Sequence, residues 1–256
     1  MLASRKNELL LGQTKLQLSS VDSTNNYAAN MLKEGLVDHG TVILADEQTN
    51  GRGQRGSIWQ SEAGLNLQMT LVLFPNDVQT SDQRFLNSLV SVSIIKLLER
   101  YGLKPKIKWP NDILINDQKI AGILIENQIR NGMIYSSLIG IGLNVNQLNF
   151  GSLPATSLRL ETNVFNPISD VLDSLMRQMN FYYEKFKLNQ FTELEALYYE
   201  NLWGFEKLKN FNDKNGTFSG TIKGISDEGL LKIETTEGIR KYDIKEISFV
   251  LEEKNV

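Results

Sequence analysis

Gly51-Arg52-Gly53-Gln54-Arg55-Gly56-Ser57-Ile58-Trp59-Gln60-Ser61-Glu62-Ala63-Gly64, followed directly by Leu65-Asn66-Leu67-Gln68-Met69-Thr70-Leu71-Val72-Leu73, decides the fold class of this chain. The first six residues fit G-x-G-x-x-G, the phosphate turn of doubly wound dinucleotide folds, but that turn must follow a strand and open a helix. Here Ser57 to Gly64 has poor helix character. After it Leu65, Leu67, Met69, Leu71 and Leu73 alternate with Asn66, Gln68 and Thr70, the period-two pattern of a strand with one face buried. With no helix dipole behind it, the loop offers close backbone approach at its glycines and the fixed cations Arg52 and Arg55. That combination suits phosphate or carboxylate. Taken alone, it also fits a mobile surface loop with solvated arginines.

Upstream, Thr41 to Ala45 is an apolar strand run ending in the polar Asp46 to Asn50. Asp22-Ser23-Thr24-Asn25 supplies N-cap candidates for a short helix starting near Ser23, with Tyr27, Ala28, Met31 and Leu32 at helical spacing before Gly35. Downstream, Pro75 and Asn76 end the strand, and Ser81 to Tyr101 keeps a helical rhythm that stops at Gly102. Shorter strands follow at Lys106 to Trp109, Ile113 to Ile115, Ile120 to Glu126 and Met133 to Val145, a spacing that suits an antiparallel or mixed sheet. Helices are expected at Ile168 to Lys187, capped by Ser169, and at Phe191 to Trp203. Beyond Phe205 short strands joined by Asn215-Gly216, Glu228-Gly229 and Glu237-Gly238 indicate a small all-β module, marginal by itself and expected to pack on the rest. The expectation is an α+β protein, a mixed β-sheet flanked by helices over 1–205, with a small all-β domain over 206–256.

Composition narrows the chemistry. The 256 residues carry 27 basic and 30 acidic side chains, no cysteine, and one histidine, His39. These counts remove disulfides, thiolate nucleophiles, Cys/His zinc sites and triads that need a histidine base. His39, in Val-Asp-His-Gly, reads as an exposed turn residue. A net charge of −3 disfavours non-specific DNA binding. Met1 to Glu8 has no signal-peptide core, and no run approaches the ~18 apolar residues of a membrane span, so a cytoplasmic protein without membrane contact is expected. Asn215-Gly216-Thr217, a formal glycosylation acceptor, reads better as a hairpin turn. Neither a P-loop nor a kinase catalytic loop occurs, so any nucleotide is held differently. No zinc, haem or flavin is expected.

Three further strings carry candidate chemistry. Lys108-Trp109-Pro110-Asn111-Asp112 bends after a strand and exposes two short polar side chains, a corner that serves function or merely a turn. Lys119-Ile120-Ala121-Gly122-Ile123-Leu124-Ile125-Glu126 puts a lysine at the head of an apolar strand. Gly140-Ile141-Gly142-Leu143-Asn144-Val145-Asn146 is a glycine-lined strand end that leaves room for a ligand.

Together, Asp22 to Asn25, Gln48 to Trp59, Lys108 to Asp112, Lys119 to Gly122 and Gly140 to Asn144 resemble, in order and spacing, the biotin–protein ligases. The resemblance implies a catalytic domain of the class II aminoacyl-tRNA synthetase/biotin ligase-like kind and a Src-homology-3-like C-terminal barrel. It implies biotin near Ser23, Thr24, Asn25, Gln48 and Gly51, with Gly122, Leu124, Gly140 and Gly142 as the apolar wall. By the same likeness Arg52 and Lys119 hold the acyl carboxylate and the adenylate phosphate. Asn111 and Asp112 lie on the nucleotide and magnesium side, Asp112 as the Mg²⁺ ligand, and Gln54, Arg55, Trp59 and Asn144 complete the ATP and adenylate site. The implied reaction is attack of the biotin carboxylate on the α-phosphorus of ATP, giving biotinyl-5'-AMP. A carrier lysine then expels AMP, with Arg52, Lys119 and Mg²⁺ screening the anions.

The implied partner is the biotin carboxyl carrier protein of acetyl-CoA carboxylase or of another biotin-dependent carboxylase, with the enzyme a monomer or a homodimer. Two positions depart from the family: it frequently has arginine where this chain has Gln54 and Ser57, and Arg55 is expected to substitute in retaining the adenylate. About twenty residues precede Asp22, too few for a helix-turn-helix domain, so no direct DNA binding is expected. The competing readings are a lipoate–protein ligase and a non-catalytic biotin-binding regulator.

Overall fold

The run Leu67–Leu73 is a strand with all seven residues buried, where the alternation predicted one exposed face. The computed structural model describes residues 10–75 and 78–250. Among these, the main elements in chain order are β1 (Lys15–Val21), α1 (Thr24–Glu34), β2 (Val42–Gln48), β3 (Leu67–Leu73), α2 (Gln83–Glu99), β4 (Lys106–Lys108), β5 (Asp112–Ile115), β6 (Gln118–Arg130), β7 (Met133–Leu143), α3 (Leu158–Thr162), α4 (Ile168–Lys187) and α5 (Phe191–Asn201). A second set follows: β8 (Leu208–Asp213), β9 (Gly216–Ile225), β10 (Leu231–Thr235), β11 (Gly238–Tyr242) and β12 (Ile247–Phe249).

The first seven strands form one sheet in the order β1-β2-β3-β7-β6-β5-β4. Only β1 and β2 run parallel; the other neighbours are antiparallel. Leu67, Met69, Leu71 and Leu73 of β3 join the large core that includes α2 and α4, while Val72 packs with Ala28 of α1 on the opposite face. Both faces are therefore covered, and Gln68 and Thr70 are buried as polar groups beside α1 rather than exposed to solvent. A one-residue slip of β3 would drive both into the apolar core, so the register is strongly specified.

The second set forms a five-stranded antiparallel sheet, β11-β10-β9-β8-β12. Its turns use the glycines read from sequence, with Gly216, Gly229 and Gly238 at φ 113, 86 and 121. It seats on the end of α5. Tyr199 stacks on Phe205 at 5.0 Å, Trp203 meets Phe249 edge-on at 5.5 Å, and Arg84 pairs with Asp227 at 2.6 Å. Aromatic pairs of this kind contribute roughly 0.5–1.5 kcal/mol beyond their burial, which helps a small sheet that could not bury enough surface alone.

Several local expectations change. Ser23 sits at the N-cap of α1 in extended conformation, but its side chain makes no capping bond. Pro167, not Ser169, precedes α4, its φ of −56° already close to helical. The strand β1 and the short helix α3 were missed because the first alternates weakly and the second is a single turn. His39 is not a simple exposed turn residue: its Nδ1 accepts from the Phe74 backbone N–H at 3.0 Å, and its ring lies 5.5 Å from Tyr183. Asn76, Met1 to Glu8 and the last residues of the expected C-terminal module lie outside the described residues. Among the described residues no helix is long and apolar enough to cross a membrane.

Candidate active site

Period two along β6 and β7 places Gly122 opposite Gly142 and Leu124 opposite Gly140 on one sheet face. The missing side chains open a cavity of about 290 Å³. A Cβ at Gly140 would lie 2.6 Å from Asn25 Oδ1, and one at Gly122 would lie 3.2 Å from both Lys119 Nζ and the Trp59 ring; at Gly142 it would overlap that ring. The Trp59 indole thus lies over a glycine floor, with Lys119 Nζ 5.5 Å from its ring centroid. Its buried Nε1 finds no partner among the described residues.

One wall is polar and belongs to the N-terminus of α1. Gln48 Oε1 accepts from the Thr24 N–H at 2.8 Å and from its hydroxyl at 3.1 Å, and Gln48 Nε2 donates to Gln68 Oε1 at 3.1 Å. Thr70 Oγ1 donates to Asn25 Oδ1 at 2.6 Å and lies 2.9 Å from Thr24 Oγ1. These bonds fix a row of amide and hydroxyl groups facing the cavity, with Ser23 beside them. Such a row can pair the donors and acceptors of a neutral polar ring.

Two cations also line the cavity, each held by one carboxylate. Lys119 Nζ is 2.6 Å from Asp112 Oδ1, and Arg52 donates to Glu126 Oε1 at 2.8 Å and to Asn26 Oδ1 at 2.7 Å. Asn26 in turn donates to Asp22, which, with the Ser23 backbone N–H and the nearby Arg52 charge, holds that carboxyl below its usual range. Glu126 Oε2 also accepts from Asn25 at 2.8 Å. Arg52 and Glu126 side chains are 43% and 36% exposed, so the pair belongs to the partly solvated kind that contributes at most about 1 kcal/mol. Arg52 can therefore exchange its carboxylate for an anionic ligand at small cost, while the Lys119–Asp112 pair, 34% and 24% exposed, is held more closely. Asn111 bridges backward instead, its Nδ2 donating to the Ile123 carbonyl at 2.6 Å.

The glycine loop folds over this site as a flap. Trp59 N–H bonds to Gly51 O at 3.0 Å and Gly53 N–H to Ser57 O at 2.7 Å, with a 3-10 turn over Gln54–Gly56 at its apex. Gly51 is buried at the flap's base, where a Cβ would lie 2.5 Å from the Trp59 carbonyl. It serves the flap's close backbone packing and does not line the cavity.

Of the residues singled out from sequence, Ser23, Thr24, Asn25, Gln48, Arg52, Gln54, Trp59, Asn111, Asp112, Lys119, Gly122, Leu124, Gly140 and Gly142 line the one cavity. Three do not. Besides Gly51, Arg55 turns outward to Asp243 at 2.6 Å, and Asn144 is buried behind the site, donating to the carbonyls of Lys119 and Thr156 at 3.3 and 3.0 Å. Sequence reasoning passed over Glu126, Asn26, Thr70 and Ile244. Glu126 was legible, since it falls two residues beyond Leu124 on the same strand face. Ile244 comes from the turn between β11 and β12 of the second sheet, and no local pattern points to it.

A mixed sheet with a glycine floor, an amide-lined wall and two cations under a flap, completed by a turn residue of a small antiparallel sheet, defines the scaffold of an acyl-transferring ligase. A family model described as Biotin/lipoate A/B protein ligase family matches residues 18–144, and another, Biotin protein ligase C terminal domain, matches residues 210–250. The chain is 34% identical over 239 residues to the bifunctional ligase/repressor BirA of Bacillus spizizenii, an alignment covering 91% of this chain and 73% of that protein. It is 34% identical over 166 residues to the biotin--[acetyl-CoA-carboxylase] ligase of Paracoccus denitrificans, covering 62% of this chain and 68% of the relative. The solved biotin protein ligase from Aquifex aeolicus in complex with biotin and ATP superposes with a TM-score of 0.77 at 27% identity, covering 94% of this chain and 100% of that one. The chain belongs to the biotin protein ligase family.

Proposed function

We infer that this protein is a biotin–protein ligase that forms biotinyl-5'-AMP from biotin and ATP and transfers the biotinyl group to a lysine of a carrier protein. The observation that carries this is the convergence of Arg52 and Lys119, from separate segments, on one glycine-floored cavity with an amide-lined wall. The wall of Thr24, Asn25 and Gln48 pairs the ureido group of biotin, and the cavity beside the Trp59 ring, lined by Met69, Leu124 and Ile141, takes its apolar rings and chain. Arg52 and Lys119 leave Glu126 and Asp112 to hold the carboxylate and the α-phosphate, lowering the repulsion between two anions as they meet. Asn144, buried behind the site, holds the Lys119 and Thr156 carbonyls and so supports the strand end that carries Lys119. No covalent enzyme intermediate is needed, in keeping with a chain without cysteine.

Among the described residues no cluster of three or more potential ligands could hold a metal ion by itself. Asp112 fits as a single carboxylate toward magnesium that arrives on ATP, since Mg²⁺ is commonly held by one or two carboxylates plus substrate phosphates. Held there, the ion would supply charge neutralisation at the phosphates; releasing Lys119 from Asp112 is this chain's own contribution.

The proposed acceptor is the biotin carboxyl carrier protein of acetyl-CoA carboxylase, and the proposed setting is the cytoplasm. We place the division between catalytic and C-terminal units at residues 205 and 206. The test is to incubate the protein with Mg-ATP, an apo carrier domain and either biotin or lipoate, and then to weigh the carrier. A mass gain with biotin alone is expected. Gain only with lipoate, or biotin binding without any gain, refutes the assignment.

A further inference from the structure

Arg55 reaches the C-terminal sheet through three reciprocal contacts. Its guanidinium donates to Asp243 Oδ2 at 2.6 Å and to the Ile244 carbonyl at 2.8 Å, and Lys245 Nζ donates back to the Arg55 carbonyl at 2.6 Å. They join the apex of the flap to the turn between β11 and β12. Both partners are shaped for this: Arg55 and Lys245 adopt left-handed backbone conformations at φ 48 and 71, which cost a non-glycine residue energy and persist only where surroundings impose them. Asp243 Oδ1 accepts from the Ile244 N–H at 2.6 Å, and its own N–H donates to Glu246 at 2.7 Å, so the turn presents its second carboxylate oxygen in a fixed direction. Ile244, between the two latch residues, lines the cavity together with Gln54 and Ser57 of the flap.

Gln54 and Ser57 bring no positive charge to an adenylate phosphate, so electrostatic retention at those positions is missing. Mechanical closure supplies a different means, because lifting the flap must break the Arg55 bonds to Asp243 and Ile244 and the Lys245 bond to the Arg55 carbonyl. We propose that Asp243 and Lys245 are positioning residues which, acting through Arg55, latch the flap shut over the acyl-adenylate, so that the C-terminal sheet governs how long the intermediate is retained before a carrier arrives. This rests on the ligase reading above.

The test uses the full chain loaded with labelled biotin and Mg-ATP. Labelled adenylate is isolated on the protein and its release followed, alongside biotin-dependent pyrophosphate exchange. Arg55→Ala, which loses both guanidinium bonds, is expected to speed release roughly tenfold, and Asp243→Ala, which loses one exposed ion pair, roughly two- to fivefold. Exchange in Asp243→Ala stays within about twofold of the unaltered chain, since one carboxylate outside the cavity is lost. The exchanged pair Arg55→Asp with Asp243→Arg is expected to recover slow release, which a general loss of folding would not do. Because Asp243 also braces its own turn, Arg55→Ala, which leaves that turn intact, provides the second side of the comparison. Equal release from all these chains overturns the latch alone. Failure of the unaltered chain to form any adenylate overturns the ligase reading and the latch with it.

Discussion

Lys119 illustrates how a single residue gains its role from position. It begins an apolar strand, so its aliphatic stem lies along the sheet while Nζ reaches over the glycine floor to Asp112 and the Trp59 ring. Loss of one donor aimed at charge that develops in a transition state typically costs ~10²–10³ in turnover. Lys119→Ala is accordingly expected to lower kcat by that factor, read as carrier biotinylation at saturating biotin and ATP; a rate near that of the unaltered chain removes Lys119 from the assigned role. Lys119 and the glycines were legible because residue type and two-residue spacing put them at the head or on one face of a strand, and Arg52 because a fixed cation among loop glycines suits an anion. The direction of Arg55 was not. Its partner Asp243 lies 188 residues further along the chain, and a local string cannot tell an arginine that holds phosphate from one that holds a neighbouring sheet.

Among the elements, β3 carries the largest revision. Alternation correctly identified a strand, but alternation describes two different neighbours and does not by itself assign one of them to water. The even positions face α1, and there Thr70 pays for its burial by bonding Asn25. Removing one partner of a buried bond leaves the other unsatisfied and costs about 1–3 kcal/mol. Thr70→Val, close in shape, should therefore lower the urea midpoint by an amount equivalent to that and weaken biotin binding through the loosened Asn25. An unchanged midpoint in equilibrium unfolding, with unchanged biotin affinity by calorimetry, would show that the Thr70 bond contributes nothing. The long helices α2 and α4 were readable to within a few residues because their apolar rhythm persists over many turns, whereas β1, at the sheet edge with mostly exposed or half-buried residues, leaves little pattern to read.

Across the whole molecule, the packed helices α4 and α5 concentrate buried aromatic groups with ionisable hydroxyls. Tyr198 on α5 is 1% exposed, and its hydroxyl has no hydrogen-bond partner among the described residues. Burial pushes its pKa upward from the ordinary 10.0, and burial raises Tyr182 and Tyr199 as well. Above pH ~10 the unfolded chain releases these protons while the folded chain keeps them, so stability falls as pH rises, by up to about 1.4 kcal/mol per pH unit for each such group. Thermal unfolding between pH 8 and 11 should show a falling Tm. Tyr198→Phe should leave Tm at neutral pH unchanged or higher, because an unpaired hydroxyl is removed, and should make the alkaline decline shallower; an equally steep decline in both chains would discount Tyr198 as its source.

Local strings by themselves determined the α+β class, the central strands and long helices, and the motif set that resembles biotin–protein ligases, because period, turn chemistry and short-range spacing are properties of neighbouring residues. Composition alone excluded thiol and histidine-triad chemistry. Only the tertiary structure decided which face of β3 is polar and buried, which carboxylates hold Arg52 and Lys119, and that Arg55 fastens the flap to the second sheet while Ile244 closes the cavity. Those outcomes depend on contacts between segments far apart in the chain, whose geometry exists only after the sheets have formed and packed.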